Sequence, residues 1–413
     1  MMTMQSRPQS GPSAANLRAL LQSGPCEDAV ALLFPMAAPI RLSIERVHFP
    51  GQKPVQFQIR ASGADGQSQM LLAEWAGEAV VSAAEAGSAR LAKVQRGQAS
   101  SSVSVVADRR HGLVLRKPGF DAKLPGLRLL HDPAWAAERL SMLGLDPASE
   151  ITLVAHRIGK RAVLRISGAQ GTTYARLRPV TSLSGRDAFD RHKDLWAALG
   201  GAGDLTIPRP IGYDAEIGLA HYTTLSGDPP VFQGHTGFSA SASVMRALSC
   251  LQALKIAAPI HTPEDELRIL DTWAQRLAVV FPDLAQQMRA KLELVRGRMI
   301  SMGPATPVLC HRDLHEGQIL MHNGVTGLLD FDTLRLGDPA MDVGNLQAHL
   351  ILASLRDGVT RSACITAMSN AVPQVPPPRI TLWRSAALLR IAMIYAFSSE
   401  PRDVVHALIE EAH

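Results

Sequence analysis

Two carboxylates and one side-chain amide, set close together late in the chain, are the groups best placed to do chemistry. They stand in Val308-Leu309-Cys310-His311-Arg312-Asp313-Leu314-His315-Glu316-Gly317-Gln318-Ile319-Leu320, then Gly327-Leu328-Leu329-Asp330-Phe331-Asp332, then Gly337-Asp338-Pro339-Ala340-Met341-Asp342. Phosphoryl transfer asks for a carboxylate beside the attacking hydroxyl, oxygen ligands for magnesium and positive charge on the phosphates. Asp313 offers the first. Gln318, five residues on, lets one loop aim a base while the strand after it carries a metal ligand. Asp330 closes the apolar run Gly327–Leu329, which brings another carboxylate to the edge of a site.

Plainer readings stand beside these. Asp313 could cap a helix starting at Leu314, and Asp330 and Asp332 could be turn residues. Asp332 is also a second candidate metal ligand. His311 and His315 have i, i+4 spacing, but a hard cation prefers oxygen, so His311 reads better as a hydrogen-bonding brace. His315 either points toward substrate or fills space. Cys310, on an apolar strand, reads as core.

Taken together, His311-x-Asp313-x-x-x-x-Gln318, Asp330 and Gly337-Asp338-Pro339-x-x-Asp342 resemble the aminoglycoside phosphotransferase and choline kinase superfamily, whose fold is like that of protein kinases. The resemblance implies an α+β, two-lobed protein-kinase-like fold with a β-rich N-terminal lobe and a mainly helical C-terminal lobe. It implies that Asp313 orients and deprotonates the acceptor hydroxyl, that Gln318 and Asp330 hold Mg2+, and that His311 and Asp338 brace the catalytic loop. The expected enzyme is a small-molecule kinase using ATP or another nucleoside triphosphate. Its partner is a small-molecule hydroxyl acceptor.

Upstream the match is looser. Gly159-Lys160-Arg161 falls where the family's phosphate-covering turn lies, although it is not G-x-G-x-x-G and could be a surface hairpin turn. Arg176, in Tyr174-Ala175-Arg176-Leu177-Arg178, takes the place of the family's phosphate-pairing lysine, and a planar guanidinium does not copy an ammonium point charge. Asp190 is the candidate for the glutamate that steadies that cation. Thr224 and Leu225, within Thr223–Gly227, fit the connection between lobes against which adenine binds. A pseudokinase, keeping the fold as a nucleotide-binding or regulatory module, is the competing reading, and Arg176 and the lack of a clear match to the family's helix glutamate are its support. No A-P-E follows Asp330, which disfavours a protein kinase.

The elements that must position these groups are legible in outline. Strand-like runs fall at Arg41–His48, Val55–Ala61, Ser102–Ala107 and Leu113–Arg116, with helical text around Ala79–Val94 and over Asn16–Phe34. Strands are also expected at Ile151–Arg157, Ala162–Ser167 and Thr172–Arg178, a helix over Asp187–Leu199, and mainly helices from Ser243 onward. The expected division is an N-terminal extension over 1–150, a nucleotide-binding small lobe over 151–227 and a helical catalytic lobe over 228–413. A faint echo links Gly51-Gln52-Lys53-Pro54-Val55 and Ser62–Gly66 with Gly159–Val163 and Ser167–Gly171. It is either an internal duplication or two hairpins sharing turn chemistry.

The 413 residues exceed one compact core. Hydrophobic residues at 46% and charged residues at 19% suit a soluble globular protein. A net charge of +5 without Lys/Arg runs, and aromatics at 5%, argue against nucleic-acid binding. Modest basicity suits polyphosphate anions. Four cysteines, scattered singly, read as buried free thiols. The polar start, Met1–Ala15, reads as a mobile tail rather than a secretory signal. With no membrane-length apolar run, a cytoplasmic protein is expected.

Overall fold

Gly24, at φ 69°, breaks the helix expected over Asn16–Phe34 into α1 (Ala14–Ser23) and α2 (Glu27–Leu33). The computed structural model describes residues 12–49, 53–95, 103–181, 184–200 and 203–413. Most of the expected N-terminal tail, and Gly51 and Gln52 of the echo, lie outside them. Contacts divide the chain into two compact units: Met1–Gly185 with Asp214–Leu219 and Phe397–Ser399, and Arg186–Tyr213 with Ala220–Ala396 and Glu400–His413.

In the first unit, β1 (Arg41–His48), β2 (Gln56–Ser62) and β3 (Ser68–Trp75) form an antiparallel meander, followed by α3 (Val80–Gln95) and the hairpin β4 (Val105–Asp108) and β5 (Leu113–Arg116). The sheet order is β1-β2-β3-β5-β4. Val80, Ala84 and Leu91 of α3 pack with Val105 and Val114 beneath it. After α4 (Pro133–Met142), capped at Asp132, come β6 (Glu150–Arg157), β7 (Arg161–Gly168) and β8 (Gly171–Leu177), again an antiparallel meander. Leu127, Ala136 and Leu140 from the N-terminal segment share one core with Ala162, Leu164, Ala175 and Leu177 of β7 and β8.

The two meanders repeat one another in detail. Each opens with a strand of 8 residues. The pairing shifts at the same place, between Ile44 and Arg46 in β1 and between Leu153 and Ala155 in β6. In each, a helix and then a strand hairpin follow in the chain. The tip of the second hairpin adjoins β8, Arg178 N–H donating to Gly218 O at 2.9 Å. The meanders share one plan: Ser62 and Ser167 of the echo hold equivalent positions, opposite the first residue of each opening strand, whereas the counterpart of Val163 is Gln58 and not Val55.

The second unit contains α5 (Ser184–Leu199, from Arg186), β9 (Leu205–Thr206), and most of β10 (Pro210–Asp214) and β11 (Leu219–Thr223). Helices α6 (Gly234–Ala253), α7 (Pro263–Val280) and α8 (Pro282–Ser301) follow. Then come β12 (Val308–Cys310), β13 (Ile319–His322), β14 (Val325–Leu328) and β15 (Arg335–Gly337). The last helices are α9 (Met341–Asp357), α10 (Ser362–Asn370), α11 (Pro377–Tyr395) and α12 (Arg402–Glu411). β12 pairs with β15 and β13 with β14, both antiparallel, while β9 runs parallel to β14. A Cβ on Gly344 of α9 would lie 2.6 Å from Arg384 N of α11, so only glycine permits this close helix crossing. A strand-rich N-terminal part and a mainly helical C-terminal part make an α+β chain of the kinase-like class expected. Among the described residues, no helix is long and apolar enough to cross a membrane.

Candidate active site

Two β-ladders fix the ends of the loop that carries Asp313. β12 delivers the chain to His311, and β13 takes it away after Gln318, with Leu329 N–H donating to Gln318 O at 3.0 Å. The loop therefore starts and ends beside the segment that carries Asp330. His311 is buried, its Nε2 donates to Leu329 O at 2.7 Å, and its ring lies against Phe331. Turned to satisfy its neighbours, the Gln318 amide nitrogen donates to Asp313 O (3.1 Å) and Leu329 O (3.2 Å), and its oxygen accepts from His315 Nε2 (3.1 Å). His315 Nδ1 accepts from Gly317 N–H at 3.1 Å, so a neutral ring with its proton on Nε2 serves both bonds. Asp313, Gln318 and the residue before Asp330 are thereby closed into one hydrogen-bonded ring.

Backbone strain marks the same place. Arg312 (φ 72°) and Asp330 (φ 64°) both adopt left-handed conformations, each costing on the order of 1–2 kcal/mol for a residue with a side chain. Asp342 compensates at Arg312. Fully buried, its carboxylate accepts from His311 N–H at 2.7 Å and Arg312 N–H at 2.6 Å. Burial pushes this carboxyl above the usual range, although the two N–H donors and His311 pull the other way. Thr333 Oγ1 donates to His311 O, pinning the loop from its far side.

Asp338 plays a different part from the one expected. Its carboxylate accepts from Ala340 N–H (3.0 Å) at the start of α9 and from Arg379 of α11 (2.8 and 2.7 Å). It fixes the entry to α9, and α9 in turn carries the carboxylate that holds the loop. Asp342, quoted in the motif but given no role, makes the loop bonds from the first turn of α9, where its carboxylate meets the His311 and Arg312 N–H groups.

A third tier was invisible in the sequence. Asn345 Nδ2 donates to Leu314 O (2.8 Å), and Arg390 donates to Asn345 Oδ1 (2.5 Å) and to Glu266. Glu266, on α7, also pairs with His261 at 3.0 Å. Burial alone would raise its pKa, but Arg390, His261 and Arg312 outweigh that and hold it at about 2. These residues lie far apart in the chain and carry no local pattern.

A sequence profile of the phosphotransferase enzyme family matches residues 150–371, which include this loop, Asp330 and Asp342. The chain belongs to the phosphotransferase enzyme family. It is an enzyme, a phosphotransferase. Among solved structures it is similar to the GDP complex of aminoglycoside 2'-phosphotransferase-IIIa, at 15% identity, covering 68% of this chain and 96% of that one with a TM-score of 0.48. It is also similar to macrolide 2'-phosphotransferase MphH from Brachybacterium faecium, at 19% identity over 68% and 98%, TM-score 0.45. A third is spectinomycin phosphotransferase APH(9)-Ia with ADP and ligand, at 10% over 67% and 93%, TM-score 0.47. A search among curated proteins gives no significant match.

The phosphotransferase carries its remaining expected contacts on separate elements. Thr224 and Leu225, in the second unit, follow β11. Leu225 packs beside Gly327 of β14, and Asp228 then bridges to Met321 of β13. Asp190 pairs with Arg186 on its own helix at 2.9 Å. In the first unit, Gly159 sits at φ 61° in the β6–β7 turn, and Lys160 N–H closes that turn onto Arg157 O at 3.0 Å. Gly159 N–H is already taken, donating to the Asp121 carboxylate at 2.5 Å. The turn's backbone donor is thus committed within its own unit. Arg176, half-buried on β8, sits opposite Val163. Of the four cysteines, all free, Cys310 and Cys364 are buried as expected and Cys26 and Cys250 only partly so.

Proposed function

We propose that this phosphotransferase moves the γ-phosphoryl group of ATP to an alcohol hydroxyl of a small molecule in a Mg2+-dependent reaction. The observation that carries the reading is the hydrogen-bonded ring joining Asp313, Gln318 and Leu329, locked from behind by Asp342. Asp313 is exposed, as a group that must reach a substrate hydroxyl has to be. It would accept the hydroxyl proton while the loop holds its backbone still.

The donor set fits magnesium. Asp330 offers carboxylate oxygens, and the Gln318 amide oxygen has a second lone pair beyond the one facing His315. Among the described residues no three His, Cys, Asp or Glu side chains cluster to hold a metal alone, so substrate phosphate and water would complete the shell. Bound magnesium would neutralise charge on the phosphates. Arg176, Lys160 and Arg161 are the proposed phosphate cations, and Thr224 and Leu225 the proposed adenine-side contacts. Solved relatives are described in complexes with ADP, GDP or AMP-PNP and with acceptors such as spectinomycin and hygromycin B. A hydroxyl-rich natural product is the acceptor class they suggest. The mix of arginines and acids over 340–413 argues against a polycation. A cytoplasmic location accords with this use of ATP.

Screening sugars, amino alcohols and antibiotics for ADP release tests the proposal. Turnover on one class, reduced about 10²–10⁴-fold by Asp313→Ala, is the expected result. Turnover indifferent to Asp313 would end it. The pseudokinase reading draws on Arg176 and on the engaged Gly159 N–H. Stabilisation by ATP that needs no magnesium, without ADP release on any acceptor, would favour it.

A further inference from the structure

The first unit gathers several cations at the ends of β1 and β6, where the nearby Glu74 carboxylate is taken by Gln56 and Arg116. Gln56 and Gln58 lie opposite His48 and Arg46 in the β1–β2 ladder. Their amides cross to the second meander, Gln58 Nε2 donating to His156 O (3.1 Å) and Gln56 Nε2 to Ile158 O (3.3 Å). These bonds bracket Arg157, so the ends of β1 and β6 lie side by side and bring Arg46 and His48 next to Arg157. In the repeat, His48 and Arg157 are equivalent, each closing an eight-residue strand after the same shift. Lys160 and Arg161 follow in the turn, and Lys53 approaches from the start of the segment before β2.

Among the described residues, no carboxylate lies within ion-pairing reach of Arg46, Lys53, Arg157 or Lys160. His48 Nε2 and Arg157 Nε are buried donors without a hydrogen-bonding partner. Like charges packed this closely repel, and a buried donor left unmade costs free energy. Both costs vanish if an anion binds. The Asp121 carboxylate does not serve, because its oxygens go to Gly159 N–H, Lys123 N–H and His156.

We propose that Arg46, His48, Lys53, Arg157 and Lys160 form a binding site for a phosphate-bearing anion, built jointly by the two strand repeats. Its ligand is a group with several phosphate oxygens, because one oxygen cannot meet donors on both strands and the turn together. The source is either the triphosphate of the nucleotide or the phosphates of a separate ligand. His48 is held neutral in the free protein, at about 3, by burial and then by Arg157, Arg46, Lys160 and Arg161. A bound anion would oppose the share contributed by these cations but not the larger share due to burial.

Calorimetric titration of the full chain with inorganic tripolyphosphate, at fixed ionic strength, tests the site. Saturable binding is expected, weakened about tenfold or more by Arg46→Gln and by Arg157→Gln, and unmoved by Lys255→Gln on the exposed segment after α6. The unfolding midpoints of the variants should match that of the parent, which separates lost binding from lost fold. Absence of saturable binding, or equal losses in all three variants, overturns the proposal. A non-hydrolysable ATP analogue that displaces tripolyphosphate assigns the site to the nucleotide, whereas simultaneous binding assigns it to a separate phosphorylated ligand. Asp330→Ala should leave tripolyphosphate affinity intact even where it stops transfer, so the anion site and the kinase reading can fail independently.

Discussion

The two strand repeats of the first unit share an architecture and differ in chemistry. Reading across the registers, Leu72 of β3 pairs opposite Gln58, as Arg176 of β8 pairs opposite Val163, so these two side chains occupy the same place in their meanders. Leu72 is 1% exposed, between Leu71 and Ala73, which are equally buried. β8 alternates instead, with Ala175 and Leu177 buried and Arg176 between them half-exposed. The first repeat buries both faces of its third strand and gives up any cation there, while the second keeps one face for a ligand. The frame is common to both meanders, and burial decides which of them can carry charge at this place.

Exchanging the two residues is the severest test of that contrast. Leu72→Arg places an unpaired charge in a closed core, at a cost of about 3–5 kcal/mol or more, and the unfolding midpoint should fall by roughly 10 °C. Arg176→Leu should leave that midpoint within a few degrees, because the site is half-open, and should reduce kcat/KM for the nucleotide by about 10²-fold. Equal thermal losses in the two variants would show that the repeats do not differ in this way.

Asp121 tests a subtler dependence, that of the second repeat's turn on the segment joining it to the first. Burial works to raise its pKa, but bonds from His156, Gly159 N–H and Lys123 N–H prevail and hold the carboxyl below the ordinary value. A depressed carboxyl stabilises the fold above its unfolded pKa of about 3.9, and that contribution is lost as pH falls toward the folded value. Asp121→Asn should cost about 2 kcal/mol at neutral pH and flatten the acid limb of a stability–pH curve below about pH 4. An unchanged acid limb would mean that the carboxylate is not held as the geometry indicates.

What could be read from the sequence follows a physical division. Asp313, Gln318 and Asp330 could be singled out because a loop between two short strands keeps the candidate groups close in the chain, while their proposed roles rest on the family resemblance. Strand β3 was missed. Its Ser-Gln-Met-Leu-Leu-Ala-Glu-Trp has no β-branched residue and favours helix by propensity, and pairing on both sides overrides that preference. The supports behind the loop were hidden for another reason. Glu266, Asn345 and Arg390 meet only because α7, α9 and α11 pack together, and no spacing along the chain encodes the meeting. The echo between the repeats lay in turn residues, which recur in any hairpin. The matching shift in the two ladders shows a shared plan that no turn residue encodes.

The smallest effect concerns the lacing itself. Gln58 donates across the repeats to His156 O, and its counterpart by register, Val163, has no amide with which to return the bond. At this position the brace therefore runs from the first repeat to the second. Gln58→Ala should cost about 1 kcal/mol, the net worth of one partly buried hydrogen bond, or some 2–4 °C in the unfolding midpoint. Amide exchange should quicken at the end of β6 while staying unchanged in β13 and β14, which belong to the other unit. Val163→Ala removes apolar contact and no donor, so it should lower stability without that local pattern. If both substitutions loosen β6 alike, the brace is ordinary packing and the asymmetry between the repeats is confined to Leu72 and Arg176.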